Sequence, residues 1–216
     1  MKTVRIYGTA KNVREAPVRE PGSDIEVWLA NSPTTIKVRC PRAMFEWTRW
    51  FNLHSKKHMW GCYPAGYHYL GTQAAGRPVY LQKVQADVPT SVAFPRERIQ
   101  ARFATAAGPN RYFTCTVCWL IALAIVEGFE RIELWGFELR DTKPGQAHAY
   151  ERPCFAYWIQ QARDAGVDVW YQKSIEQLYA AGKMTPGDPL TYTGPLYGYD
   201  TKPEDDWNIA GQCWTS

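Results

Sequence analysis

Thr114-Cys115-Thr116-Val117-Cys118-Trp119-Leu120-Ile121-Ala122-Leu123-Ala124-Ile125-Val126-Glu127-Gly128, followed by Arg131-Ile132-Glu133-Leu134-Trp135-Gly136, decides the fold. Val117, Leu120, Ile121, Ala124 and Ile125 recur at helical spacing, and Gly128 is a natural C-terminal stop. The run from Arg131 to Trp135 is short and β-prone, and it breaks at Gly136-Phe137-Glu138. A second helix is expected to begin near Pro153, a favoured first position, and to carry Phe155, Trp158, Ile159 and Ala162 as far as Gly166. Val167-Asp168-Val169-Trp170 is the next strand, and Ser174-Ile175-Glu176-Gln177 reads as a capping box opening a further helix. Helix and strand alternate, which predicts an α/β fold whose mostly parallel sheet is flanked by crossover helices.

Working back toward the start, Val4-Arg5-Ile6-Tyr7 is a strand stopping at Gly8-Thr9-Ala10. Ile25 to Ala30 is another, closed by Asn31-Ser32-Pro33. Pro41 opens a helix to about Trp47, and Trp50 to Leu53 form a third strand ending at His54. Residues 55–76 are rich in glycine, histidine and rings and read as irregular. Val79-Tyr80-Leu81 is a short strand. Residues 83–111 read mostly as loop, with a short helix near Arg96 to Phe103. The division is a domain over residues 1–183 and an aromatic-rich C-terminal tail over 184–216, packed on the domain or on a partner.

Composition sets further bounds. The 216 residues suit one domain with a core of its own. The ring content is high, with 10 Trp, 13 Tyr and 8 Phe, which predicts that some rings lie outside the core, at a pocket, an interface or a stacking platform. Lys and Arg number 25 and Asp and Glu 21, a net charge of +4 that is too mild to imply a nucleic-acid surface. The first residues lead straight into a strand, and Val117 to Val126 is about half a membrane span, so no leader and no membrane partner are expected. Six cysteines without a framework fit a reducing compartment, and the expected location is the cytoplasm.

In a parallel sheet the ligand lies beyond the carboxyl ends of the strands, which selects four loops. Gly8, with Thr9 and Ala10, is either a turn glycine or one that lets backbone amides approach a phosphate. Asn31, with Ser32, is either an Asx turn or a side-chain amide that reads a base, a ribose or a sugar hydroxyl. Thr114, Cys115 and Thr116 offer hydroxyls and helix-start amides for an anion or a ribose, or a plain N-cap. Cys115 and Cys118 form a C-x-x-C that admits a redox reading. His54, His58 and Cys62 have a metal-like spacing that Gly61 interrupts, so no metal is expected. His54 itself is either a general base or a hydrogen-bonded structural histidine. Glu138, beyond a central strand, is either an acid–base group or part of a solvated loop that carries Arg140 and Asp141 toward Tyr150. There is no G-x-G-x-x-G, no Walker motif and no G-x-S-x-G.

The segment Tyr112-Phe113-Thr114-Cys115-Thr116, the apolar helix after it and Leu134-Trp135-Gly136-Phe137-Glu138 resemble a group of uncharacterised bacteriophage proteins. Trp50-Phe51-Asn52-Leu53-His54, then Tyr150 with Arg152-Pro153, and Leu196-Tyr197-Gly198-Tyr199 extend the resemblance over most of residues 1–200. More distantly, the layout is similar to bacterial sialyltransferases and to the glycosyltransferase-like domain of flagellin motility accessory factors. That resemblance implies a Rossmann-like sheet and a cytidine-nucleotide sugar bound without a metal. It places Gly8, Asn31, Thr114 with Cys115, and Gly136 with Phe137 against the nucleotide, and Tyr150 on the leaving phosphate. Two residues depart from the pattern: Ala10 stands where a phosphate-turn serine is usual, and Cys115 replaces a serine.

The expected function is therefore a glycosyltransferase-like enzyme of phage origin in the infected host cell. It would need no cofactor, with a nucleotide sugar as co-substrate and His54 or Glu138 as the catalytic base. The acceptor is open among protein, glycan, small molecule and modified DNA, and a second copy of the chain is a further candidate partner. The alternative is a nucleotide- or nucleic-acid-binding accessory protein without turnover, its rings serving as stacking platforms.

Overall fold

The apolar helix is the centre of the molecule. In the computed structural model, which describes residues 1–57, 59, 64–74, 76–139 and 148–200, it spans Thr116–Val126 with every residue from Thr116 to Ala124 buried. A helix apolar on all sides belongs inside a protein. It ends as expected: the Phe129 amide donates to the Ala124 carbonyl at 3.0 Å and the Gly128 amide to the Ile125 carbonyl at 3.1 Å. That pair is a Schellman closure, with Gly128 at φ 71° as the motif requires.

In chain order the elements are β1 (Thr3–Tyr7), a 3-10 turn (Lys11–Glu15), β2 (Glu26–Ala30), α1 (Pro33–Arg39), α2 (Ala43–Glu46), β3 (Arg49–Asn52) and α3 (Pro64–Gln73). Then come β4 (Val79–Leu81), β5 (Ser91–Ala93), α4 (Arg96–Arg102), α5 (Thr116–Val126), β6 (Arg131–Trp135), α6 (His148–Asp164), β7 (Asp168–Tyr171) and α7 (Lys173–Ala180). The strands form one 7-stranded sheet in the order β5-β4-β3-β2-β1-β6-β7, and every pairing is parallel. The α/β, Rossmann-like architecture is as read from the sequence. The chain runs outward from β1 to β5 and returns to β6 on the other side of β1, so the strand order reverses between β1 and β6.

Alternation along the strands makes two cores. Val4, Ile6, Trp28, Phe51, Ile132 and Leu134 face α5 and α6. Tyr7, Val27, Leu29, Trp50, Val79 and Leu81 face the 3-10 turn and α1 to α3. Side chains of successive strand residues point to opposite faces, so each short strand feeds both layers.

One charged pair sits within a layer. Arg5 Nε donates to Glu133 Oε2 at 2.9 Å, and the two side chains are 10% and 12% exposed. Glu133 also accepts from Arg131 Nε at 3.0 Å, and Arg5 reaches the Pro17 carbonyl at 3.2 Å. Glu133→Gln removes the charge while keeping the shape, and is expected to destabilise by about 2 kcal/mol. Arg5→Met with Glu133→Leu is expected to be nearly neutral, because it leaves no buried charge unpaired. Urea midpoints of the two variants check this, and equal losses would contradict it.

Several sequence expectations are corrected. The 3-10 turn, α1 and the edge strand β5 were not anticipated, and α3 occupies part of the stretch read as irregular. In α1, Ser32 Oγ accepts from the Thr35 amide at 3.4 Å and Pro33 is the first helical residue, so the Asn31-Ser32-Pro33 stop is also a helix start. Pro153 lies inside α6 rather than at its first position. The capping box at Ser174 does not form: α7 is capped by Gln172 without a side-chain bond, and Ser174 Oγ donates instead to the Phe137 carbonyl at 3.0 Å. About half of the described rings are core, and about as many are half-buried, Tyr197 and Tyr199 among them. Among the described residues Phe45 is the only exposed one, and Trp28, Trp47, Trp50, Trp119 and Trp158 are fully buried. No helix among them is long and apolar enough to cross a membrane.

Candidate functional site

The carboxyl ends of β1, β2, β3 and β6 lie along one rim of the sheet, because all the pairings are parallel and in register. The start of α5 meets that rim. Thr116 Oγ1 donates to Asn31 Oδ1 at 2.9 Å, which joins the end of β2 to the first turn of α5. Asn31 is left-handed at φ 65°, a conformation that asparagine tolerates better than most residues. Two bonds hold it there. Its amide donates to the Phe51 carbonyl at 2.9 Å, and its carbonyl accepts from Trp50 Nε1 at 2.9 Å. Since its side-chain oxygen is engaged by Thr116, what Asn31 has to offer a ligand is its amide NH2.

The α5 N-terminus supplies further donors. Cys115 is its N-cap residue, and no side chain caps it. The first amides of an uncapped helix carry partial positive charge and favour an anion. Thr114 lies just before, 2% exposed, and its hydroxyl has no hydrogen-bond partner among the described residues. A buried hydroxyl left unpaired costs about 1–3 kcal/mol, which a ligand or an ordered water would recover. Asn52, at the end of β3, was not singled out from the sequence. It is 2% exposed and its Oδ1 accepts from the His54 amide at 3.1 Å. An asparagine two residues before a strand-end histidine was the available signal.

His54 is half-buried just past β3, and the C-terminal segment holds it. Tyr197 OH lies 3.3 Å from His54 Nδ1 and 3.2 Å from Nε2, and the two rings meet edge to face at 5.7 Å. Tyr197 is itself fixed to the start of α5. Its amide donates to the Phe113 carbonyl at 3.0 Å, and its carbonyl accepts from Trp119 Nε1 at 3.2 Å. His54 also borders a small open cleft lined by Lys56, Met59, Tyr67, Leu81, Gln82 and Gln85. Lys56 and Tyr67 OH both bond Asp87 at 2.8 Å, which holds the Asp87 carboxyl below its usual range.

Gly8 and Gly136 face each other across the switch point. The Gly8 amide donates to the Trp135 carbonyl at 2.7 Å and the Ala10 amide to the Gly136 carbonyl at 2.9 Å. A Cβ on Gly8 would stand 2.5 Å from the Gly136 oxygen and 2.6 Å from the Phe137 ring. The space that glycine leaves is thus filled by the chain itself. Gln172, also missed, locks the junction: its Oε1 accepts from the Gly136 amide at 2.7 Å and its Nε2 donates to the Asn12 carbonyl at 2.9 Å. Arg39 brings a guanidinium to the Thr9 carbonyl. Glu138 is half-buried directly beyond Phe137.

The structure therefore brings Asn31, Thr114, Cys115 and Thr116 together, with His54 linked to them through Tyr197. Ser32 is occupied as the α1 cap. Gly8, Thr9, Ala10, Gly136 and Phe137 form a neighbouring junction that is closed by packing. Tyr150 lies in the first turn of α6, and its side chain falls outside the described residues, as do His58, Cys62, Arg140 and Asp141. Among the described residues no group of three His, Cys, Asp or Glu is arranged to hold a metal ion.

No family model and no curated protein matches the chain. Among solved structures it is similar to the sialyltransferase CstII from Campylobacter jejuni, determined in complex with a substrate analogue, CMP-3FNeuAc. The two share 13% identity over 98% of this chain and 99% of that chain, with a TM-score of 0.48. That is a distant likeness of overall fold, and it carries no weight for activity.

Proposed function

We propose that this protein binds a nucleotide sugar over the rim of the sheet and transfers the sugar to an acceptor without a metal. The observation that carries the reading is the join between Asn31 and Thr116. It sets a side-chain amide beside an uncapped helix start and the unpaired Thr114 hydroxyl. A ribose or base suits the amide and hydroxyl, and a phosphate suits the helix start. The sequence resemblance to nucleotide-sugar enzymes supports the same reading.

In this mechanism the α5 amides stabilise the charge that develops on the departing phosphate, where fixed donors are most effective. His54 or Glu138 takes the acceptor's proton. A second reading, nucleotide binding without turnover, draws support from the Tyr197 contacts that already occupy the His54 ring.

A thermal-shift series with nucleoside mono- and diphosphates and their sugars tests the reading. At a hundred times the Kd, a ligand stabilises by about 2.7 kcal/mol, which for a chain of this length is a Tm rise of roughly 5–10 °C. Asn31→Gly keeps the left-handed backbone and removes the amide, so it is expected to fold and to lose that rise. Transfer is then separated from binding by His54→Ala and Glu138→Ala, one of which should stop release of sugar from the bound donor while leaving the rise intact. No Tm rise with any nucleotide overturns both readings, and a rise without sugar release selects the second.

A further inference from the structure

Three buried thiols meet where α5 begins. Cys115 Sγ lies 3.4 Å from Cys118 Sγ, and Cys118 Sγ lies 3.4 Å from Cys154 Sγ. Cys115 is the N-cap residue of α5, Cys118 lies in its first turn, and Cys154 comes from α6 packed alongside, where its thiol donates to the Tyr112 carbonyl at 3.2 Å. Cys118 and Cys154 are fully buried and Cys115, at 9% exposed, is the least buried of the three. Cys40, the fourth described cysteine, belongs to the opposite layer.

Packing of three small apolar side chains needs no shared sulfur contact, yet Cys118 touches both of the others. Residues three apart at a helix start lie on one face, and a disulfide needs a sulfur separation of about 2.05 Å. Closing the Cys115–Cys118 gap takes a shift of roughly 1.4 Å, within reach of side-chain rotation. Zinc would spread its thiolates farther apart, to about 3.8 Å for Zn–S bonds of ~2.3 Å.

We propose that Cys115, Cys118 and Cys154 form a dithiol–disulfide modification site, oxidised by a small-molecule disulfide of the glutathione type. The Cys115 thiolate attacks one sulfur of the small disulfide and expels the other as a thiolate, leaving a mixed disulfide on Cys115. Cys118, deprotonated, attacks the Cys115 sulfur and expels the second small thiolate. Two protein thiols lose two electrons and two protons, and one small disulfide becomes two small thiols. Cys154, its sulfur 3.4 Å from that of Cys118, then attacks Cys118, which passes the bridge to α5–α6 and returns Cys115 to a thiol with no further oxidant.

The thiol, not only its position, governs the rate. The contact with Cys118 lowers Cys115, but burial and the neighbouring Glu151 and Cys154 outweigh it and leave Cys115 raised. Burial pushes Cys118 up further, as do its two thiol partners. Tyr112, Tyr157 and Tyr192, the other titratable groups that interact with the cluster, are themselves held protonated by burial. Thiolate is therefore scarce at neutral pH, and bridging accelerates as pH rises through the alkaline range.

The test uses the full chain carrying Cys62→Ser and Cys213→Ser, incubated folded with glutathione disulfide at about pH 8.5. Remaining thiols are blocked with N-ethylmaleimide and the protein is read by intact mass and peptide mapping. The expected product has lost two blockable thiols, carries no glutathione, maps to Cys118 bridged with Cys115 or Cys154, and reverts with dithiothreitol. Cys118→Ser is expected to stop at a glutathione adduct on Cys115, and Cys154→Ser to keep only the Cys115–Cys118 bridge. The proposal is overturned if the folded protein keeps all its blockable thiols under conditions that bridge it in urea, or if the bridge maps to Cys40. The readout is independent of any nucleotide.

Discussion

Trp119→Ala is expected to destabilise the protein by about 3–5 kcal/mol. Trp119 is fully buried on α5, stacked on Phe113 with centroids 3.5 Å apart and planes 4° off parallel. Phe94 and Tyr199 close on it edge to face at 5.6 Å and 5.9 Å. Alanine would leave a cavity walled by rings held from several elements, which limits collapse into it. For a chain of this length the loss is a Tm drop of roughly 6–20 °C. Trp119→Phe fills most of the space and is expected to cost less. Either variant also removes the indole donor to the Tyr197 carbonyl, so the His54 ring loses part of its support. Urea unfolding measures the first effect, and a drop below about 1 kcal/mol would contradict this account of the layer. The NMR chemical shifts of the His54 ring, expected to move in Trp119→Phe, read the second.

Gly8→Ala is expected to cost about 3 kcal/mol, at the upper end for one added carbon in a packed interior. The obstacle is partly backbone: the Gly136 oxygen would lie 2.5 Å from the new Cβ. Gly136 cannot yield easily, because its amide is held by Gln172 and its φ is 76°. Phe137→Ala in the same chain clears the ring but not the carbonyl, so it is expected to recover little. This separates the two sequence readings of Gly8. A turn glycine fixed by packing loses Tm without any ligand present. A glycine kept only for a ligand would leave the Tm of the ligand-free protein unchanged and abolish the nucleotide-dependent rise.

Much of the frame was legible because its signals are local. The apolar run from Val117, the stop at Gly128 and the β-prone run from Arg131 are short-range patterns, and the structure has α5 at Thr116–Val126 and β6 at Arg131–Trp135. Pro153 misled because α6 begins five residues earlier, at His148, which puts the proline inside the helix rather than at its start. Ser174 had the residue types of a capping box, yet its hydroxyl found the Phe137 carbonyl. That carbonyl is 37 residues away in the chain, where no local rule reaches. The site shows the same division. Asn31 and Thr116 each carried a signal as a strand end and a helix start, but their bond spans 85 residues. Gly8 and Gly136 both marked strand ends, and nothing local indicated that each excludes a side chain from the other.

By itself, then, the sequence determined the layering: a parallel sheet, an apolar helix and a rim of strand ends where polar residues gather. Periodicity and stop residues suffice for that, since they report on neighbours within a few turns. Only the tertiary structure decided the partners. It turned the Asn31 oxygen toward Thr116, set Tyr197 on His54 across 143 residues, and brought Cys154 to Cys118 across 36. Those contacts follow from which faces of the sheet and helices bury together, and that is a property of the whole packed core rather than of any one stretch of chain.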